Sequence, residues 1–336
     1  MTASVQAAVA PAGAPKATDR RKRLQRTLLV ALVAVAALGG LTTIFGSAAA
    51  LQATVNGLVS GSYIGLGAIG LTLVLGTLKV VNLAHGDLLV AGAYLTILFT
   101  AWNVPLPLAA LLAMAGTSIL ALATERLVWR PLRRAGAGTL QFLLSAIGLA
   151  LVIRFTIQFF AGSQVRTLGA DVVRTIAFGP LRIGVLQATA LAVGLAAMAI
   201  VGLGLRHTDL GKAIRAFADN PALAEFSGIE AGKTIDATWI LAGFIAGLAG
   251  VLYAASIGSF NPNFGLSILL SLFAATLLGG IGNPYGALVG GLLIGLSQEW
   301  STLFFSARWK PVVGFSLLLF LLLFMPHGIF GRGKRP

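Results

Sequence analysis

The sequence predicts an all-α fold, a polytopic bundle of about eight to ten transmembrane spans with room for half-helices, and three observations carry that expectation. Only 10% of the residues are charged and 57% are hydrophobic, with a mean hydropathy of +0.92. A soluble domain carries about 25% charge, so this stock cannot cover a water-facing surface. Apolar runs close to the ~20 residues that cross a ~30 Å hydrocarbon core recur along the chain. The net charge of +14, from 24 Lys and Arg against 10 Asp and Glu, sits between those runs. That is the placement expected of cytoplasmic loops rather than of a nucleic-acid surface.

The first residues are rich in Ala, Pro and Thr and lead to Arg21, Lys22, Arg23 and Arg26. Residues 1–26 are therefore expected to form a basic cytoplasmic tail without fixed structure. The apolar run 27–51 that follows is longer than a signal-peptide core of about 7–15 residues, and it is read as a retained first helix. Further spans are expected near 54–76, 86–102, 104–124, 139–160, 186–205 and 236–256, then near 266–280, 285–303 and 311–325. The membrane domain thus covers 27–325, with a second basic cytoplasmic tail at 326–336.

With the amino end inside, this order puts every strongly basic loop on one side: Arg126, Arg130, Arg133 and Arg134; then Arg206, Lys212, Arg215 and Lys233; then Arg332, Lys334 and Arg335. Both termini are expected to be cytoplasmic. Removing one span would send a cluster across the membrane, whereas removing a pair would not. The weak pair is 266–280 with 285–303, because its first member only just spans the core and suits a half-helix or re-entrant segment. The outer stretch 161–185 carries Arg166, Arg174 and Arg182 against Asp171, which long translocated loops tolerate.

Glycine occurs 42 times, often at four-residue spacing: Gly57, Gly61 and Gly65; Gly243 and Gly247; Gly286 and Gly290; Gly291 and Gly295. Helices associate in lipid through close backbone approach, so these stripes are expected to be packing faces.

Chemistry-bearing residues are sparse. There is no cysteine, which excludes disulfides and thiolate sites. His85, His207 and His327 are expected in loops or tails, with no nucleophile, base and orienting acid around them. No phosphate-cradling G-x-x-x-x-G-K-[ST] loop is present. The chain is therefore expected to have no catalytic residues, to hold no metal and not to hydrolyse ATP itself. Lys79, Glu125, Asp236 and Glu299 fall near span ends, where long side chains reach water. Arg154 alone lies deep, and is expected either to be paired inside the bundle or to serve a gate or substrate.

Two polar stretches interrupt the apolar background. In the first, Asn82-Leu-Ala-His-Gly-Asp87, Asn82, His85 and Asp87 suit helix capping and gating or substrate handling equally. The second is the cytoplasmic loop 206–235. There Asp219 or Asn220 can cap a helix starting at Pro221, with Leu223, Phe226 and Ile229 at helical spacing. So short an amphipathic helix needs a lipid surface or a soluble partner groove to hold it.

At four stretches the chain resembles the LivH-type permeases of branched-chain amino acid ABC transporters. They are Asn56–Tyr63 with Gly70–Gly76; Val81–Asp87; Arg215–Asp219 through Gly228-Ile229; and Leu278-Gly-Gly-Ile-Gly-Asn-Pro-Tyr-Gly286. The ending Met325-Pro-His-Gly-Ile-Phe-Gly331 matches as well, and the likeness covers roughly 52–332.

The resemblance implies a non-enzymatic permease subunit in the bacterial inner membrane, fed by a periplasmic substrate-binding protein. It implies pairing with a second, LivM-like permease and drive from two cytoplasmic ABC ATPase subunits that hold ATP and Mg, with no cofactor on this chain. Loop 206–235 would be the coupling loop, with Arg215, Ala216, Asp219, Asn220, Ala224, Gly228 and Ile229 against the ATPase. Asn56, Gly61, Tyr63, Asn82, His85, Gly86, Gly279, Gly280 and Gly282 would form the substrate path or gate. The breaks at 76–86 and 279–286 could offer helix-dipole ends to the charged ends of an amino acid. Related permeases for urea or short amides share the Asn-x-x-His-Gly and Gly-Gly-x-Gly patterns, so another small cargo remains an alternative. An ATP-independent carrier would need an ionisable relay that the sequence lacks.

Overall fold

The structure is a computed structural model that describes residues 32–33, 35–79, 81–168, 174–324 and 328–329. It divides into two units, 1–47 and 48–336. The first contributes α1, Val35–Phe45, which stops before Gly46 at φ 85°. The tail 1–26, the start of the expected 27–51 span and almost all of 326–336 lie outside the described residues.

The second unit is dominated by helices: α2 (Ser47–Leu78), α3 (His85–Ala101), α4 (Leu106–Thr124), α5 (Arg130–Arg134), α6 (Thr139–Ala161) and α7 (Val185–His207), then α8 (Asp209–Asp219), α9 (Pro221–Phe226), α10 (Ala231–Ile257), α11 (Phe264–Gly279), α12 (Pro284–Ser301) and α13 (Lys310–Phe324). Each expected span from 86–102 onward falls on one of them. The first boundary is corrected: the chain breaks at Gly46, not between 51 and 54. A glycine in the left-handed region ends a helix readily, whereas nothing in Ala48–Asn56 stops one. As a result α2 has 32 residues, about 48 Å at 1.5 Å per residue.

Among the described residues, five helices are long and apolar enough to cross a membrane: α2, α4 with its continuation to Arg134, α6, α7 and α10. The others are shorter, with α11 at 16 residues and α12 at 18. The two pack against each other and α11 also meets α3 and α13, so the weak pair is a helical hairpin.

α2 is the buried axis of this unit, whereas α6 and α7 expose most of their surface. Its glycine stripe lies on α12: a Cβ at Gly57 would come 2.8 Å from Leu296 Cα and one at Gly61 2.8 Å from Leu292 Cα. α10 packs on α3 and α4, with a Cβ at Gly92 reaching 2.6 Å from Gly247 Cα and one at Gly243 2.9 Å from Ser118 Cα. Close backbone approach is what holds helices together in lipid, and these stripes provide it.

Two small sheets lie in connections. β1 (Arg166–Thr167) pairs antiparallel with a strand at Ser259–Phe260, called β4, and β2 (Thr175–Phe178) forms a hairpin with β3 (Leu181–Gly184). The stretch 161–185, expected from the sequence to be an outer loop, thus contains strands β1, β2 and β3. Gly179-Pro180 between two four-residue segments of mixed polarity was the available turn signal.

Candidate functional site

At one end of the bundle, α7 runs into α8 and α9, which lead back to α10. Thr208 caps α8 by accepting from Gly211 N at 3.1 Å, and Asn220 caps α9 by accepting from Leu223 N at 3.1 Å, with Pro221 in the first helical position. Gly211, Ile214 and Phe217 face inward against α7 and α10. Ala224 is buried, whereas Phe226 is 96% and Leu223 64% exposed. The segment is thus two helices rather than one, and the spacing of Gly211, Ile214 and Phe217 was its unread signal. Ile229 does not continue the α9 face, because the helix ends at Phe226 and Gly228 turns at φ 84°. Arg215 donates to Gly211 O and Arg206 O at 3.3 Å each, and Ala216 and Asp219 lie in the last turns of α8. Lys212 bonds Asp209 at 2.9 Å and holds that carboxylate below its usual range.

The two chain breaks meet at this same end. A Cβ at Gly76 would come 3.0 Å from Gly282 Cα, and Gly282 N donates to Thr72 Oγ1 at 3.0 Å. Lys79 Nζ donates to Ala218 O of α8 at 3.0 Å. Each break is shaped by an asparagine: Asn82 Oδ1 accepts from Ala84 N at 3.0 Å and Asn283 Oδ1 accepts from Gly286 N at 3.2 Å. Gly280 and Gly282 have φ of 91° and 77°, and Gly279 sits backbone to backbone with Gly286.

Beyond the first break the polar residues are buried. His85 is not in a loop: it opens α3, is fully buried, and its Nε2 lies 3.0 Å from Gly67 O of α2. Its Nδ1 has no hydrogen-bond partner among the described residues. Gly86 lies against Gly265 of α11. Asp87 is not a cap, since the α3 cap position is Ala84. Its carboxylate receives Arg154 Nε at 2.9 Å and Nη2 at 3.0 Å, which assigns the deep arginine to an ion pair. His207 ends α7, and His327 lies outside the described residues.

Glu125 and Glu299 do not reach for water either. Glu125 is buried where α4 continues as a π-helical turn, Glu125–Trp129, and pairs with Arg133, with Arg130 Nε 3.9 Å away. Arg126 and Arg130 bind Asp236 at 2.9 and 3.0 Å. Trp129 stacks between Trp239 and Phe142 at 6.1 and 6.4 Å. These three arginines and two acids tie the ends of α4, α5 and α10 together.

At the opposite end lies a cavity of about 330 Å³. Its position follows from chain direction: α7 starts there with Gln187 and ends at α8, while α10 starts after α9 and ends there with Ser256 and Ile257. From α2 it is lined by Asn56, Val59, Ser60 and Tyr63, and from α12 and α13 by Gln298, Glu299 and Lys310. Glu299 Oε1 accepts from Ser60 Oγ at 2.9 Å and from Lys310 Nζ at 2.6 Å. The β2–β3 hairpin is pinned beside it, because Gln52 exchanges two 2.9 Å bonds with the Arg182 backbone and donates to Asn56 at 3.2 Å. Of the expected path residues, Asn56 and Tyr63 line this cavity, and Gly61 lies on the α12 contact instead. Sequence reading missed Glu299 and Lys310 as a pair, although each closes or opens a neighbouring apolar run.

Residues 53–324 match the family model described as branched-chain amino acid transport system / permease component. The chain is 33% identical over 296 residues to the high-affinity branched-chain amino acid transport system permease protein BraD of Pseudomonas aeruginosa, covering 84% of this chain and 96% of that one. It is equally 33% identical over 296 residues, with the same coverage, to the protein LivH of that system in Escherichia coli strain K12. The solved structure titled PsaBC from Streptococcus pneumoniae in complex with Fab aligns with a TM-score of 0.47 and 12% identity over 87% of this chain and 97% of that one.

Proposed function

Because this chain belongs to the family of branched-chain amino acid transport system permeases, we propose that it is the translocating subunit of an ABC importer for branched-chain amino acids. It is an integral membrane protein, and its residues 27–325 form the permease domain. In this reading it resides in the bacterial inner membrane with a second, related permease. A periplasmic binding protein delivers the amino acid, and two cytoplasmic ATPase subunits, which hold ATP and Mg, drive alternating access.

The family match across 53–324 carries the reading, and one geometric observation supports the role of the inner end. α8 and α9 are each capped and buried on one side, yet Phe226 and Leu223 are held out into solvent. Large apolar side chains displayed on an ordered polar surface suit a protein partner. α9 would enter the ATPase groove, with Arg215, Ala216, Asp219, Asn220, Ala224, Gly228 and Ile229 shaping the coupling segment. Its movement would reach the two breaks through the Lys79–Ala218 bond and the Gly76–Gly282 contact. Asn82, His85, Gly86, Gly279, Gly280 and Gly282 would then shape the inner gate, and Asn56, Gly61 and Tyr63 the outer half.

The test is uptake of labelled leucine into proteoliposomes that contain the chain, its co-purified ATPases, the partner permease and the binding protein. Leucine should enter only with ATP, and Phe226→Ser should cut uptake by at least about tenfold, the equivalent of about 1.4 kcal/mol, in a correctly folded chain. Uptake that persists without any ATPase would overturn the reading.

A further inference from the structure

We propose that the outer cavity is a receiving site for a zwitterion, in which Glu299 takes the α-ammonium and Lys310 the α-carboxylate of the passing amino acid. The proposal rests on the importer reading above and adds to it the residues that meet the cargo's charged ends.

The cavity holds one acid and one base that face each other at 2.6 Å. A site carrying both signs and no net charge complements a zwitterion and disfavours a plain cation or anion. At about 330 Å³ its volume lies at the small end of ligand cavities, which span about 300–1,000 Å³. Asn56 and Gln187 add neutral hydrogen-bonding groups, and Val59 and Ile257 add an apolar wall for an aliphatic side chain.

The pair is also able to accept a guest. Both bonds to the carboxylate arrive at Oε1, whereas an ionised carboxylate has about four acceptor sites and a lysine three donors. An ammonium can therefore join Glu299, and a carboxylate Lys310, before the original bond is lost. Lys310 is the more exposed partner, with 32% of its side chain accessible against 10% for Glu299. A lock between the end of α12 and the start of α13 would not require charge, because apolar pairs serve that purpose at no greater cost.

The experiment uses the complete reconstituted transporter with Glu299→Gln, Lys310→Met and the double exchange Glu299→Lys with Lys310→Glu. Two readouts are followed: leucine uptake, and the ATP hydrolysis that leucine-loaded binding protein stimulates. Each single variant should lose uptake by at least about tenfold, as for truncation of one partner of a hydrogen-bonded charge pair, while stimulated hydrolysis is retained. The double exchange, which restores an ion pair in reversed order, should remain defective in uptake. Recovery of uptake in the double exchange would show a structural lock and overturn the proposal, as would wild-type uptake in both single variants. A second measurement does not depend on those variants. The chain has no cysteine, so labelling of Val59→Cys by a maleimide should slow when leucine-loaded binding protein and ATP are supplied. Unchanged labelling under transport conditions overturns the proposal. If the wild type does not take up leucine with ATP at all, the importer reading has failed instead.

Discussion

Arg154 stands within an apolar run, and its guanidinium forks onto the Asp87 carboxylate 67 positions earlier in the chain. The two side chains are 12% and 1% exposed, so each is the other's main compensation for leaving water. α6 is otherwise largely exposed along its length, and this pair ties it to α3. Removing one partner of a buried pair costs about 3–5 kcal/mol, while removing both is often neutral. Asp87→Asn should therefore lower thermal stability in lipid nanodiscs sharply, and adding Arg154→Leu should recover most of the loss. If the double variant is as unstable as the sum of the two single variants, the pair is not what holds α6. The need for an interior partner was legible from the position of Arg154 alone. Its identity was not, because Asp87 reads from its neighbours as a capping residue, and Glu299 bonds Ser60 across 239 positions.

At the scale of elements, apolar run lengths and their glycine and proline interruptions placed most helices to within a few residues. A membrane helix must satisfy its backbone within itself, which makes its extent a local property. Where the solvent changes, so does legibility. α8 lies at the water boundary, and its inward face rests on Gly211, Ile214 and Phe217, which is too short a series to stand out beside a proline-initiated neighbour. The π-helical turn Glu125–Trp129 has no local signature, since it follows from Trp129 and the buried Glu125 being held by α6 and α10 and by Arg133. α9 is six residues long and depends on its cap. Asn220→Ala should cost it about 1 kcal/mol and raise amide hydrogen exchange across 223–226 several-fold, with α8, capped separately by Thr208, unchanged. Equal exchange in variant and wild type would mean that contacts with α8, not the cap, hold α9 in place.

For the molecule as a whole, the charge bias predicts that the α8–α9 segment faces the cytoplasm and that the cavity at the opposite end of the bundle faces the far side. The absence of cysteine makes this directly testable with single substitutions at exposed positions. Ser163→Cys should react with an impermeant maleimide in intact spheroplasts, and Ser227→Cys only after permeabilisation. The opposite pattern would invert the topology and put α8 and α9 outside.

The sequence by itself determined the class of molecule, the approximate limits of most apolar helices among the described residues, the glycine faces on which they pack and the family to which the chain belongs. The class, the helix limits and the packing faces follow from local composition, because hydrocarbon selects for run length and small residues wherever a helix lies, and the family follows from the short motifs that carry the likeness. Only the tertiary structure decided that the two chain breaks adjoin each other and α8, that Asp87 belongs to Arg154, and that Glu299 and Lys310 share a cavity with Asn56 and Tyr63. Charge pairing in a bundle is a matter of which helices are neighbours. Neighbours are chosen by the fit of whole helix faces, which no single segment carries.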